Sequence, residues 1–137
     1  MLAAPLLVSC DLTRLDKFTR DLLSNTEVLA VNEDELGRQA QQVYRKGLIT
    51  IWSRPLFDDT IAVAIFNLNL VEHEVKIPSW SMVRPVILPG MKAPLGSQPV
   101  RDLWQRKDLG QHAEFSASIK PHSAIMLKVG KPRPDIY

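Results

Sequence analysis

The sequence predicts a mainly β chain: an antiparallel β-sandwich of about eight strands, preceded by a strand-and-helix segment. Three observations lead there. Up to Gly37 the apolar residues recur with a helical period, and beyond it they alternate with a period of two. After Gly37, β-branched and aromatic residues fall in short runs separated by Gly, Pro, Asn and Asp. Finally, 137 residues at 45% hydrophobic and 23% charged suit one globular core, and such a chain buries roughly two-thirds of its unfolded surface.

The apolar run from Met1 to Val8 is too short to cross a bilayer, which takes about 20 residues. Leu7, Val8, Ser9 and Cys10 imitate the cleavage box of a bacterial lipoprotein. However, no Lys or Arg precedes Arg14 and Pro5 interrupts the run, so a lipidated Cys10 is disfavoured and Leu6 to Ser9 reads as a buried strand. Asp16 is a plausible N-cap for a helix carrying Phe18, Leu22 and Leu23 on one face. Asn25 or Thr26 caps a second short helix from Glu27 to Val31.

Beyond Gly37, strands are expected at Gln39–Arg45, Leu48–Arg54, Thr60–Leu68, Glu72–Ile77, Val83–Leu88, Pro99–Trp104, Ala113–Ile119 and Ser123–Val129. Leu48, Thr50 and Trp52 alternate with Ile49, Ile51 and Ser53, so both faces of that strand are covered and it belongs inside its sheet. A core of Trp52, Ile65, Phe66, Leu103, Trp104, Phe115 and Leu127 follows. The five prolines Pro78, Pro85, Pro89, Pro94 and Pro99 allow at most a short edge strand between them. Lys131 to Tyr137 reads as an extended tail.

The balance of 17 basic and 15 acidic residues leaves a net charge of +2, with no footprint for nucleic acid and no polybasic membrane patch. One cysteine closes no intrachain disulfide, and His73, His112 and His122 fit no zinc spacing, so no metal or cofactor site is expected. Asp58 and Asp59 are adjacent acids on a hairpin turn, a position more often solvated than catalytic. Asp11, just after the first strand, reads as a loop or capping residue.

Three stretches together carry a resemblance. The first is Ala3-Ala4-Pro5-Leu6-Leu7-Val8-Ser9-Cys10-Asp11-Leu12, followed by Glu27 to Asn32 and then Asp34, Leu36 and Gly37. The second is Val100 to Trp104 with Lys107 to Gly110, and the third is Phe115 to Ile119 with Pro121 and His122. In order and approximate spacing this resembles the C-terminal part of α-galactosidases of glycoside hydrolase family 27. The match covers nearly the whole chain, with only loose counterparts from Ser79 to Gln98. The chain departs from the family pattern at Glu33, Asp34 and Glu35, at Ala40, and at Ser123, where glycine is frequent and any left-handed backbone would be strained.

The resemblance implies that residues 1–37 are the last strand and helix of a β/α barrel, that 38–130 form the C-terminal antiparallel domain, and that 131–137 are a tail. Retaining glycosidases need two carboxylates about 5–5.5 Å apart. In the family both come from earlier barrel strands, so the resemblance carries a catalytic role onto no residue here, and Asp11 aligns with a non-catalytic aspartate of the barrel rim. The expectation is thus the C-terminal portion of an α-galactosidase, inactive alone, whose partners are the missing barrel portion or another copy of itself. α-Galactosidase and α-N-acetylgalactosaminidase are indistinguishable at this level, and compartment and oligomeric state are left open. The alternative is a stand-alone sandwich that binds carbohydrate or protein, with Trp80 stacking on a sugar ring.

Overall fold

The computed structural model describes residues 1–85 and 94–134. Asp11 caps a single 3₁₀ turn, Leu12–Arg14, by accepting from the Thr13 amide at 2.9 Å. Helix α1 spans Lys17–Leu23, and its N-cap is Asp16, which accepts from the Thr19 amide at 2.6 Å. Helix α2 spans Thr26–Asn32 under the Asn25 cap. The expected strand at Leu6–Ser9 is not formed. A parallel strand needs hydrogen-bonding neighbours on both sides, and none of the described residues supplies them. The segment instead folds back: Met1 O accepts from the Ala40 amide and Ala4 O from Asn32 Nδ2.

Eight strands follow: β1 (Gln41–Lys46), β2 (Ile49–Pro55), β3 (Ile61–Asn67), β4 (His73–Ile77), β5 (Gln98–Asp102), β6 (Lys107–His112), β7 (Phe115–Ile119) and β8 (Ser123–Val129). They form a six-stranded antiparallel sheet, β1-β2-β3-β8-β5-β6, and a two-stranded sheet, β4-β7. Strand β2 lies inside the large sheet, as its alternation predicts.

Two expectations are corrected. Val83 ends a 3₁₀ turn, Trp80–Val83, rather than opening a strand, with Arg84 and Pro85 extended beyond it; the rest of that expected strand lies outside the described residues. Strand β6 was not expected, because Lys107-Asp108-Leu109-Gly110-Gln111-His112 shows no apolar alternation. It is the sheet edge, so neither of its faces needs to be apolar. At Gly110, with φ of 91°, the β5–β6 register slips by one residue, a bulge whose left-handed backbone suits glycine.

The large sheet has a core on each face. Register places Ile51, Ile65 and Ile125 side by side, and Ser53, Val63 and Leu127 likewise. This face packs on Val75, Ile77 and Ile119 of the small sheet and on Trp80. Trp80 is fully buried, with Nε1 donating to His112 O at 2.7 Å. The opposite face carries Ala62 and Met126, which join Leu56, Leu103 and Val31 of α2 in a second core. Of the expected core, Ile65, Leu103 and Leu127 are buried, whereas Trp104 is 40% exposed in the β5–β6 turn. Trp52, Phe66 and Phe115 are half-buried. The left-handed residue before β8 is His122, at φ 50°, and not Ser123, which already belongs to the strand.

Candidate functional site

The seam between α2 and the outer face of the large sheet holds the part-buried ion pairs Glu27–Arg101 and Asp58–Lys128. It opens into a groove of about 530 Å³ lined by residues that include Glu27, Asp34, Asp58, Arg101 and Lys128. Asn25 sets its geometry. Its Oδ1 accepts from the amides of Glu27 and Val28, starting the helix, while Nδ2 donates to Leu103 O at 2.9 Å and fixes that helix to the β5–β6 turn.

In the first turn of α2, Glu27 meets Arg101 of β5 in a two-pronged pair at 2.6 and 2.7 Å. Arg101 also reaches Asp108 at 2.9 Å and Arg106 O at 3.0 Å. Its hydrogen bonds with Glu27 and Asp108 raise the Arg101 pKa, and the same guanidinium holds the Glu27 carboxyl below its usual value. Past the helix end, Asp34 Oδ2 accepts from the Phe57 amide at 2.9 Å, which ties the segment to the β2–β3 hairpin.

That hairpin carries Asp58 and Asp59. Asp58 pairs with Lys128 Nζ at 2.6 Å and takes both the hydroxyl and amide of Thr60. Burial pushes its carboxyl pKa upward, but these cationic and hydrogen-bonding partners outweigh burial and hold it below the usual range. Asp59 points to a different partner, Arg133, at 3.4 Å. Adjacent in sequence, the two acids are therefore committed to separate structural contacts. A general acid needs a raised pKa, and neither Glu27 nor Asp58 has one.

Other residues singled out from sequence lie elsewhere. Asp11 is exposed beside Arg14, and Cys10 is an exposed free thiol. The histidines are scattered between β4, the end of β6 and the β7–β8 turn. Among the described residues no three His, Cys, Asp or Glu gather to hold a metal ion, and no helix is long and apolar enough to cross a membrane. Trp80 has no face for a sugar ring, which removes the residue on which the carbohydrate-module alternative rested. The expected tail is anchored through Pro134: Arg133 Nη2 donates to Phe57 O at 2.6 Å, and its guanidinium lies 5.3 Å from the Phe57 ring centre.

Sequence reasoning missed Arg54. Alternation along β2 puts it on the Thr50–Trp52 face, and a cation there, inside a strand covered on both sides, is the signal that could have found it.

Comparison with known proteins agrees with this architecture. The model of the alpha galactosidase C-terminal beta sandwich domain matches residues 46–129. Alpha-galactosidase 3 of Arabidopsis thaliana is 34% identical over 131 residues, covering 92% of this chain and 28% of that protein. A probable alpha-galactosidase of Dictyostelium discoideum is 34% identical over 132 residues, covering 93% of this chain and 32% of its own length. The crystal structure of alpha-galactosidase I from Mortierella vinacea superposes with a TM-score of 0.82 at 27% identity, over 93% of this chain and 32% of the other. The chain thus spans about a third or less of the length of these relatives.

Proposed function

Because this chain belongs to the family of the α-galactosidase C-terminal β-sandwich domain, we propose that it is the non-catalytic C-terminal portion of a retaining glycoside hydrolase acting on terminal α-galactosyl bonds. The observation that carries the reading is coverage: 92% of this chain is accounted for by 28% of an α-galactosidase. The reacting carboxylate pair, which must stand about 5–5.5 Å apart, belongs to the remaining barrel portion. No residue here is assigned a catalytic, cofactor-binding or metal-binding role, and the groups that choose between galactose and N-acetylgalactosamine lie with that pair. Residues 1–37 close the barrel, 38–130 form the sandwich behind it, and 131–137 form the tail.

In this arrangement the partner is the barrel portion, and the apolar side chains left exposed along the first part of the chain are its contact surface. Leu6 is 61% exposed, Leu7 90% and Phe18 73%. The direct test is hydrolysis of an aryl α-galactoside by the purified chain. The expected result is no turnover above buffer, and steady turnover that follows the chain through purification overturns the proposal.

A further inference from the structure

Among the described residues Arg54 has a loose ion pair with Asp34 but no hydrogen-bond acceptor for its guanidinium. It is fully buried near the end of β2. Nε, Nη1 and Nη2 all lack a hydrogen-bond partner, although a guanidinium presents five N–H donors in a fixed fork. The nearest carboxylate is Asp34, with Oδ1 3.9 Å from Nη2, which is too far for a hydrogen bond. Asp34 is already held by the Phe57 amide at 2.9 Å and the Leu36 amide at 3.2 Å, so swinging toward Arg54 would break those bonds.

Arg101, in the same seam, shows by contrast what a satisfied guanidinium looks like here, with Glu27 at 2.6 Å and Asp108 at 2.9 Å.

A buried guanidinium whose donors find no acceptor and whose ion pair is loose gains little from its partner, and replacing a buried ion-paired residue with an apolar one of similar size is often neutral or stabilising. A residue that gains so little within its own fold is better matched to a partner than to the chain that carries it. We infer that Arg54 is a recognition residue that takes a carboxylate side chain in two-pronged fashion from the barrel portion, an inference that rests on the docking reading above. The fork geometry selects a carboxylate, and an ammonium at the same place would lose that selectivity. The Met1 to Ala4 segment is held by the Ala40 amide at 2.9 Å and Asn32 Nδ2 at 2.8 Å, with Met1 packed on the second core, and docking of the barrel portion would have to displace it.

The test uses the whole chain with Arg54 intact, as Arg54→Met and as Arg54→Lys. The probe is the portion of Mortierella vinacea alpha-galactosidase I ahead of the region this chain matches, purified and verified as folded by circular dichroism. The inference expects Arg54→Met to raise the melting temperature of the isolated chain by several degrees. It expects titration calorimetry to give binding of the original chain that is weakened at least about tenfold in both variants. A lower melting temperature or failure to fold in Arg54→Met means Arg54 serves this fold, and the inference falls. Equal binding by the original chain and Arg54→Lys also overturns it, while leaving the docking reading intact. Failure of the original chain to bind the folded probe overturns both.

Discussion

Asn67 shows what one buried polar side chain does in this molecule. It is fully buried at the end of β3, and its Nδ2 donates to Ile119 O and Val71 O, both at 2.8 Å, and to Lys120 O at 3.1 Å. Oδ1 accepts from the Asn69 amide at 2.9 Å. One amide thus joins the large sheet to the end of β7 and shapes the loop between β3 and β4. Asn67→Ala removes these partners and strands buried carbonyls, so urea denaturation should register a loss of about 2 kcal/mol or more. Trp80→Ala should cost about 3–5 kcal/mol because it empties the centre of the main core. Calorimetry with galactose should give the same absence of heat for the original chain and for Trp80→Ala, since the ring is not a sugar platform.

Among the elements, α1 and α2 differ in how they are held. Both are seven residues long, below the length at which an isolated helix is stable. Helix α2 has Val31 in the second core, Asn25 bonded to Leu103 O and Glu27 paired with Arg101. Helix α1 has its Asp16 cap and an exposed Lys17–Asp21 pair, but buries no residue. Amide exchange should therefore rise in steps: slowest in β2, β3 and β8, intermediate in α2, fastest in residues 1–23. Strong, equal protection across residues 1–35 and the sandwich in a monomer would instead show that the first segment is an integral part of the fold.

At the scale of the whole molecule, pH acts through the charged seam. Asp58 and Glu27 have folded-state pKa values below their unfolded ones, near 4, so the unfolded chain binds more protons in acid. Their stabilisation is complete above about pH 5 and is lost as pH falls through their folded values. Melting temperature measured from pH 3 to 7 should therefore fall steeply below about pH 4.5. The exposed apolar side chains of the first 23 residues predict concentration-dependent self-association in sedimentation velocity. Leu7→Asp combined with Phe18→Asp should reduce it without lowering the melting temperature, since both sites are solvent-exposed.

The sequence by itself determined the strands whose two faces must differ or must both be covered, because a period of two writes burial directly into residue order. It determined the cap at Asp16 and narrowed the next to Asn25 or Thr26, of which the fold uses Asn25, because a short polar side chain can bond the amides two or three residues ahead. The ordered pieces from Ala3 to His122 likewise carry the resemblance to the α-galactosidase C-terminal region. Tertiary structure alone decided the rest. An edge strand such as β6 has no buried face to encode, and Leu6–Ser9 has strand-like residues without the neighbours that make a strand. Trp80 and Trp104 have similar local sequence signals yet opposite fates, because one is placed between the sheets and the other at a turn. The hydrogen-bonded pairing of Glu27 with Arg101 across 74 residues, and the looser ion pair of Arg54 with Asp34, depend on where chain folding brings charges together. Local sequence writes a residue's own preferences, while its partners are set by the path of the whole chain.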